Sequence, residues 1–174
     1  KCWQQSSDCG FVTDVLGECN NAELRSAIVA RIIDNHQTYL VNSGLFNCFT
    51  KWISESYEVK ESIEIYEKIH CAGYNVEDYY VGKVHILIGS LSYELKVLTL
   101  NKARTLYPKS KVILADTLDC AKWYECQGEN NTAIQIADSI ISDCKEAKIV
   151  KAKALCNLGN KESKLQKNLS GQTT

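Results

Sequence analysis

AKWYECQGENNTAIQIADSI, residues 121–140, carries two apolar-periodic stretches joined through Gly128 and the pair Asn130-Asn131. Its reading decides whether the chain holds one helical hairpin or one unit of an array. Upstream, Leu114, Leu118 and Ala121 share one helical face, and Ser110 offers that helix a cap. Gly128 predicts its end, because glycine enters the left-handed conformation without steric cost. Asn130, Asn131 and Thr132 then supply a turn and a new cap, and Ala133, Ile136, Ala137, Ile140 and Ile141 form the returning face. Two such helices on a short link fold back on one another, since splaying them leaves both apolar stripes in water.

The same pattern recurs upstream. In VGKVHILIGSLSYELKVLTLNKARTLYPKS, residues 81–110, a helix over 78–89 meets a Gly89-Ser90 break. A second helix follows, with Val97, Leu100, Ala103 and Tyr107, and Pro108 stops it by removing a backbone donor. Earlier still, Phe46, Phe49, Trp52 and Ile53 precede the polar break SESYEVKE, after which Ser62, Tyr66 and Ile69 mark a returning face. Residues 21–40 predict one flanking helix, capped by Asn20 with Glu23, with a stripe of Leu24, Ile28 and Ile32, ending near Asn42-Ser43-Gly44. A last helix over 146–158 carries Ile149, Val150, Ala152 and Leu155 and stops before Gly159. Ser62, Lys96 and Ala133 open the returning helices at spacings of 34 and 37 residues.

A period near 34 with two helices per unit resembles the tetratricopeptide repeat. Residues 43–147 look like three degenerate copies, best seen in LNKARTLYP and in the series Tyr124, Gly128, Ala133. The expected fold class is all-α, a helical-hairpin repeat (TPR-like α-solenoid) of about three repeats with flanking helices. Residues 1–20 read as a cysteine-containing arm, 21–160 as a single helical domain, and 161–174 as a frayed basic tail. The resemblance implies that Ala103, Ala121, Ala133 and Ala137 let paired helices approach closely. It also puts Lys83 and Lys96 at positions the family buries. Ligands would lie on a concave surface lined by the first helix of each unit, here Asn47, Lys51, His85, Lys122 and Glu125. Gly82 and Ala115 stand at two positions where some members clamp a terminal carboxylate, so that role is not expected.

Nine cysteines are the strongest compositional signal: Cys2, Cys9, Cys19, Cys48, Cys71, Cys120, Cys126, Cys144 and Cys156. The first three cluster in a segment with weak helical periodicity, as in a segment stapled by disulfides, and the sequence leaves the pairing open. Asn130 and Asn168 begin glycosylation patterns. With no methionine in the chain, a processed or trimmed protein is expected, and an extracytoplasmic location, secreted or periplasmic, is favoured over a cytoplasmic one. The net charge of −1 gives no pull toward nucleic acid, although residues 145–174 carry +5 against −6 for the rest.

Chemistry is poorly supported. No Cys-x-x-Cys, phosphate loop, zinc helix or serine elbow occurs, and Cys120 and Cys126 point about 240° apart on a helix. His36, His70 and His85 fall on different elements, and His70 diverges from its neighbour Cys71. The sequence therefore predicts no enzyme, no cofactor, no metal site and no membrane span. It points to an interaction module for a protein or peptide partner, an assembly or secretion adaptor or a partner-neutralising protein. The alternative is a secreted, disulfide-stabilised helical effector or structural protein without a repeat-type groove.

Overall fold

The structure, a computed structural model, describes residues 21–35, 37, 40 and 43–170. The expected arm with Cys2, Cys9 and Cys19, the histidine at 36 and the side chain of Asn168 lie outside the described residues. Among the described residues the chain is all-α, with eight helices and no strand. They are α1 (Ala22–Asp34), α2 (Ser43–Ser56), α3 (Val59–Cys71), α4 (Glu77–Gly89), α5 (Tyr93–Leu106), α6 (Lys111–Cys126), α7 (Asn130–Ile140) and α8 (Ala147–Ser170). The chain divides into two compact units, Lys1–Leu87 and Ile88–Thr174.

In the first unit α2 and α3 form a hairpin around Phe49, Trp52, Ile53, Ile63, Tyr66 and Ile69, all buried. Ser62 leaves room for close approach, and its hydroxyl donates to the carbonyl of Ile53 at 3.3 Å and that of Tyr57 at 3.2 Å. A buried hydroxyl needs such partners to offset its desolvation. Gly73, at φ 93°, closes α3: its N–H donates to His70 and that of Tyr74 reaches back to Ile69. Val76, just before α4, and Tyr80, Val81 and Val84 on it supply core. Lys83, expected to be buried by the family pattern, is half-buried, and its ammonium donates to the Ser54 carbonyl in the last turn of α2 at 2.6 Å. A cation is favoured there by the helix dipole.

The second unit packs α5 to α8 about one cluster. Leu114, Leu118, Ala121 and Tyr124 of α6 meet Ala133, Ile136, Ala137 and Ile140 of α7 and Ala147, Val150 and Ala154 of α8. The alanines allow these helices to approach closely. Tyr93 stacks on Trp123 with centroids 3.9 Å apart and planes 8° from parallel, joining α5 to α6. Lys96, which the resemblance also implied to be buried, is half-buried and stands 4.4 Å above the Tyr93 ring, so its charge meets a π-face. Gly128, at φ 77°, ends the turn after α6, with Glu129 N–H bonded to the Tyr124 carbonyl.

Polar bonds join alternate helices at near-constant separation. Lys83 and Ser54 are 29 residues apart, Asn157 and Glu125 are 32, Lys161 and Gly128 are 33, and Arg104 and Ser139 are 35. Within each unit, such spacing is consistent with helical hairpins in which every second helix lies beside its predecessor.

Four expectations are corrected. Helix α1 stops at Asp34 rather than near Asn42, and Asn35 turns its side-chain amide onto the Arg31 carbonyl at 2.9 Å. Asparagine competes with the helix for backbone partners. Leu24, expected on the buried stripe, is 54 % exposed. The cap of α7 is Glu129, with no side-chain cap bond, because helix already begins at Asn130. Finally, α8 continues through Gly159 to Ser170, and its buried stripe is Ala147, Val150 and Ala154 rather than Ile149, Ala152 and Leu155.

Candidate functional site

The expected surface residues fall in both units. Asn47 and Lys51 lie one turn apart on the exposed side of α2, and Lys51 pairs with Glu55 of its own helix at 3.8 Å. His85 is exposed on α4. On α6, Lys122 pairs with Asp119 at 3.0 Å. Glu125 is half-buried and accepts a hydrogen bond from the Asn157 amide at 3.0 Å. Exposed helical ion pairs of this kind contribute about 0.3–0.5 kcal/mol, so they leave these charges open to exchange.

Of the five, Glu125 also lines a cavity. A groove of about 580 Å³ runs between the end of α6 and α8, lined by Glu125, Lys148, Ile149, Ala152, Lys153 and Cys156. Its position follows from the buried stripe of α8. Because Ala147, Val150 and Ala154 face the core, Ile149, Ala152 and Leu155 point away from it, and Ile149 is 58 % exposed. The Asn157–Glu125 bond and the Lys161 bond to the Gly128 carbonyl at 3.1 Å hold α8 against α6 along the groove. At the start of α8, Glu146 is held below the usual carboxylate range by its own backbone N–H and by the Cys144 thiol at 3.5 Å.

The first unit has its own cleft, of about 380 Å³, between α1 and α3. Val29, Ile33 and Ile65 form apolar walls, with Glu61, Glu64 and Lys68 at its rim. Both concavities fall in the size range of ligand sites. Neither was anticipated as such from the sequence. The apolar ranking of Ile149 and Leu155 over Ala147 and Ala154 hides the groove, and the small-residue spacing of Ala147, Val150 and Ala154 is the signal that could have marked the buried side.

Cys48 is disulfide-bonded. Cys71, Cys120, Cys126, Cys144 and Cys156 carry free thiols, which removes these five from the set of candidate disulfide cysteines. Cys120 is buried in α6 and faces packed side chains rather than another sulfur. Asn130 is corrected as a glycosylation acceptor: it is 2 % exposed, and its amide donates to the Gly128 carbonyl at 3.2 Å. Among the described residues no group of three or more His, Cys, Asp or Glu comes together as a metal site. Likewise, no helix among them is long and apolar enough to cross a membrane. No protein-family model matches the chain, and neither a curated protein nor a solved structure does.

Proposed function

We propose that the chain is a non-enzymatic interaction module that docks a peptide or protein partner on a surface of stacked, TPR-like helical hairpins. The observation that carries this reading is the groove between α6 and α8, where apolar side chains lie in solvent between lysines and are held in place by bonds between alternate helices. An exposed apolar floor with a charged rim is how helical repeats recognise segments of other proteins. Asn47, Lys51 and His85 in the first unit, and Lys122 and Glu125 in the second, belong to the same reading as adjustable polar contacts. The Cys48 disulfide supports an extracytoplasmic setting, in which the module serves as an adaptor or neutralises its partner.

Panning a displayed random-peptide library against the full chain tests the proposal. Selected peptides share a consensus and bind in solution, as read by fluorescence anisotropy. Binding weakens either in the Ala152→Arg variant or in the variant combining Lys51→Glu, His85→Glu and Lys122→Glu. A library that yields no binding sequence, or binders indifferent to both variants, rejects the module.

A further inference from the structure

The outer face of α8 is amphipathic in its own right. Opposite the buried Ala147, Val150 and Ala154 run Ile149, Ala152, Leu155 and Cys156, all exposed, with Ile149 and Leu155 at 58 % and 50 %. These positions follow the i, i+3, i+6, i+7 spacing that presents one continuous stripe to a neighbouring helix. Within a stack of hairpins every helix but the outermost has a neighbour on each side, and an end helix normally turns a polar face outward. Here it does not.

The charges around the stripe say what would cover it. Helix α8 has six lysines and one glutamate, and Lys148 and Lys153 line the groove itself. Lys151 is already matched with Asp138 of α7 at 2.7 Å, and Glu125 is engaged by Asn157 at 3.0 Å. The groove therefore presents two exposed ammonium groups beside an apolar floor. A second copy of this chain docking face to face by two-fold symmetry would set lysine-rich α8 against lysine-rich α8, which like-charge repulsion opposes.

We infer that the outer face of α8 binds an acidic amphipathic helix of a partner protein, which adds one more helix to the stack. This rests on the interaction-module reading and names its partner's chemistry. Leucine-type side chains of the partner fill the space over Ala152 between Ile149 and Leu155. Glutamates or aspartates flanking them meet Lys148 and Lys153. Apolar burial supplies most of the attraction, and the charges set orientation and exclude basic helices.

The test uses three synthetic peptides of ~15 residues, a length typical of helix-in-groove recognition. One carries leucines at helical spacing flanked by glutamates, one replaces the glutamates with lysines, and one scrambles the first. Each is titrated by fluorescence anisotropy into the full chain and into two variants, Ile149→Glu and the double variant Lys148→Glu with Lys153→Glu. Both variants alter exposed side chains, and circular dichroism checks that they stay helical. The acidic amphipathic peptide binds at least ~10-fold more tightly than the other two, about 1.4 kcal/mol. Ile149→Glu weakens it by a similar factor, and the lysine reversals shift preference toward the basic peptide. The inference is overturned if the three peptides bind alike, if none binds, or if the variants bind as the parent does. It is equally overturned if sedimentation shows a dimer that Ile149→Glu dissolves, since the occupant would then be a second copy. Library peptides that bind at the Lys51–His85 row while these fail would leave the module standing and remove only this assignment.

Discussion

The Tyr66 hydroxyl on α3 donates to the Thr50 carbonyl oxygen on α2 at 2.7 Å, with both residues fully buried. Thr50 turns its own hydroxyl back onto the carbonyls of Phe46 and Asn47, each at 3.0 Å, so its side chain is satisfied without help from α3. The phenol is thus a direct polar tie between two apolar faces, beside the Ser62 bond to Ile53. Burial pushes its ionisation above the ordinary tyrosine value, which keeps the donor protonated. Tyr66→Phe keeps the ring and removes the bond, at an expected cost of about 1 kcal/mol, while Tyr66→Ala opens a cavity and costs about 3–5 kcal/mol. Urea denaturation measures both, and equal losses would mean that the ring contributes little.

Arg104 on α5 reaches α7, where its guanidinium donates to both the hydroxyl and the carbonyl oxygen of Ser139. The Ser139 hydroxyl in turn donates to the Ile136 carbonyl at 2.7 Å. A planar two-pronged donor fits this pair in a way that a lysine does not. Arg104→Lys is expected to lose about 0.5–1 kcal/mol, and Ser139→Ala less, because the carbonyl partner survives. A thermal-melt series ranks the two, and a larger loss for Ser139→Ala would contradict the fork.

Much of this architecture is legible in the sequence. The two breakers that end hairpin elements, Gly73 and Gly128, are both in the left-handed region, and Pro108 follows Tyr107 at the end of α5. Faces marked by large apolar residues were read correctly where their neighbours were polar, as in Ser62, Tyr66 and Ile69. The outer face of α8 was misread because Ile149 and Leu155 outrank alanine in apolarity. What decides the buried side there is how closely α7 and α8 approach, and only small residues fit. Lys83 and Lys96 are each half-buried, since a lysine stem packs while its ammonium finds a carbonyl or a ring. The groove itself is a property of two helices far apart in sequence, so no local pattern announces it.

Asn130 shows how burial overrides a sequence motif. Its amide donates to Gly128 and its carbonyl oxygen lies 3.4 Å from the Asn157 amide, which places it inside the junction of α6, α7 and α8. A glycan needs the amide nitrogen in solvent. Folded protein recovered from a glycosylating host is therefore expected to lack a glycan at Asn130, as peptide mass mapping would show. Asn130→Ala is expected to destabilise the chain by about 1–3 kcal/mol by leaving polar groups unmatched. A stable chain carrying a glycan there would contradict the junction.

Cys120 makes the last prediction. It is 2 % exposed on α6, and burial pushes its thiol up to about 11, with Asp116 and Asp119 adding to the shift and Lys96 opposing it. Thiolate is the reactive form, so at pH 8 a disulfide reagent should label exposed Cys71, Cys126 and Cys156 readily and Cys120 only on unfolding. The same shift ties stability to pH. Between the unfolded value near ~8.5 and the folded value of about 11, the folded chain holds a proton that the unfolded chain has released. Stability therefore falls as pH rises through that window, by roughly 3 kcal/mol from this group, and this contribution levels off above it. Cys120→Ala removes that part of the slope while leaving the tyrosine and lysine contributions in place. Parallel urea titrations at pH 8, 9.5 and 11 compare the two chains, and identical slopes would show that the thiol is not held in its neutral form by the fold.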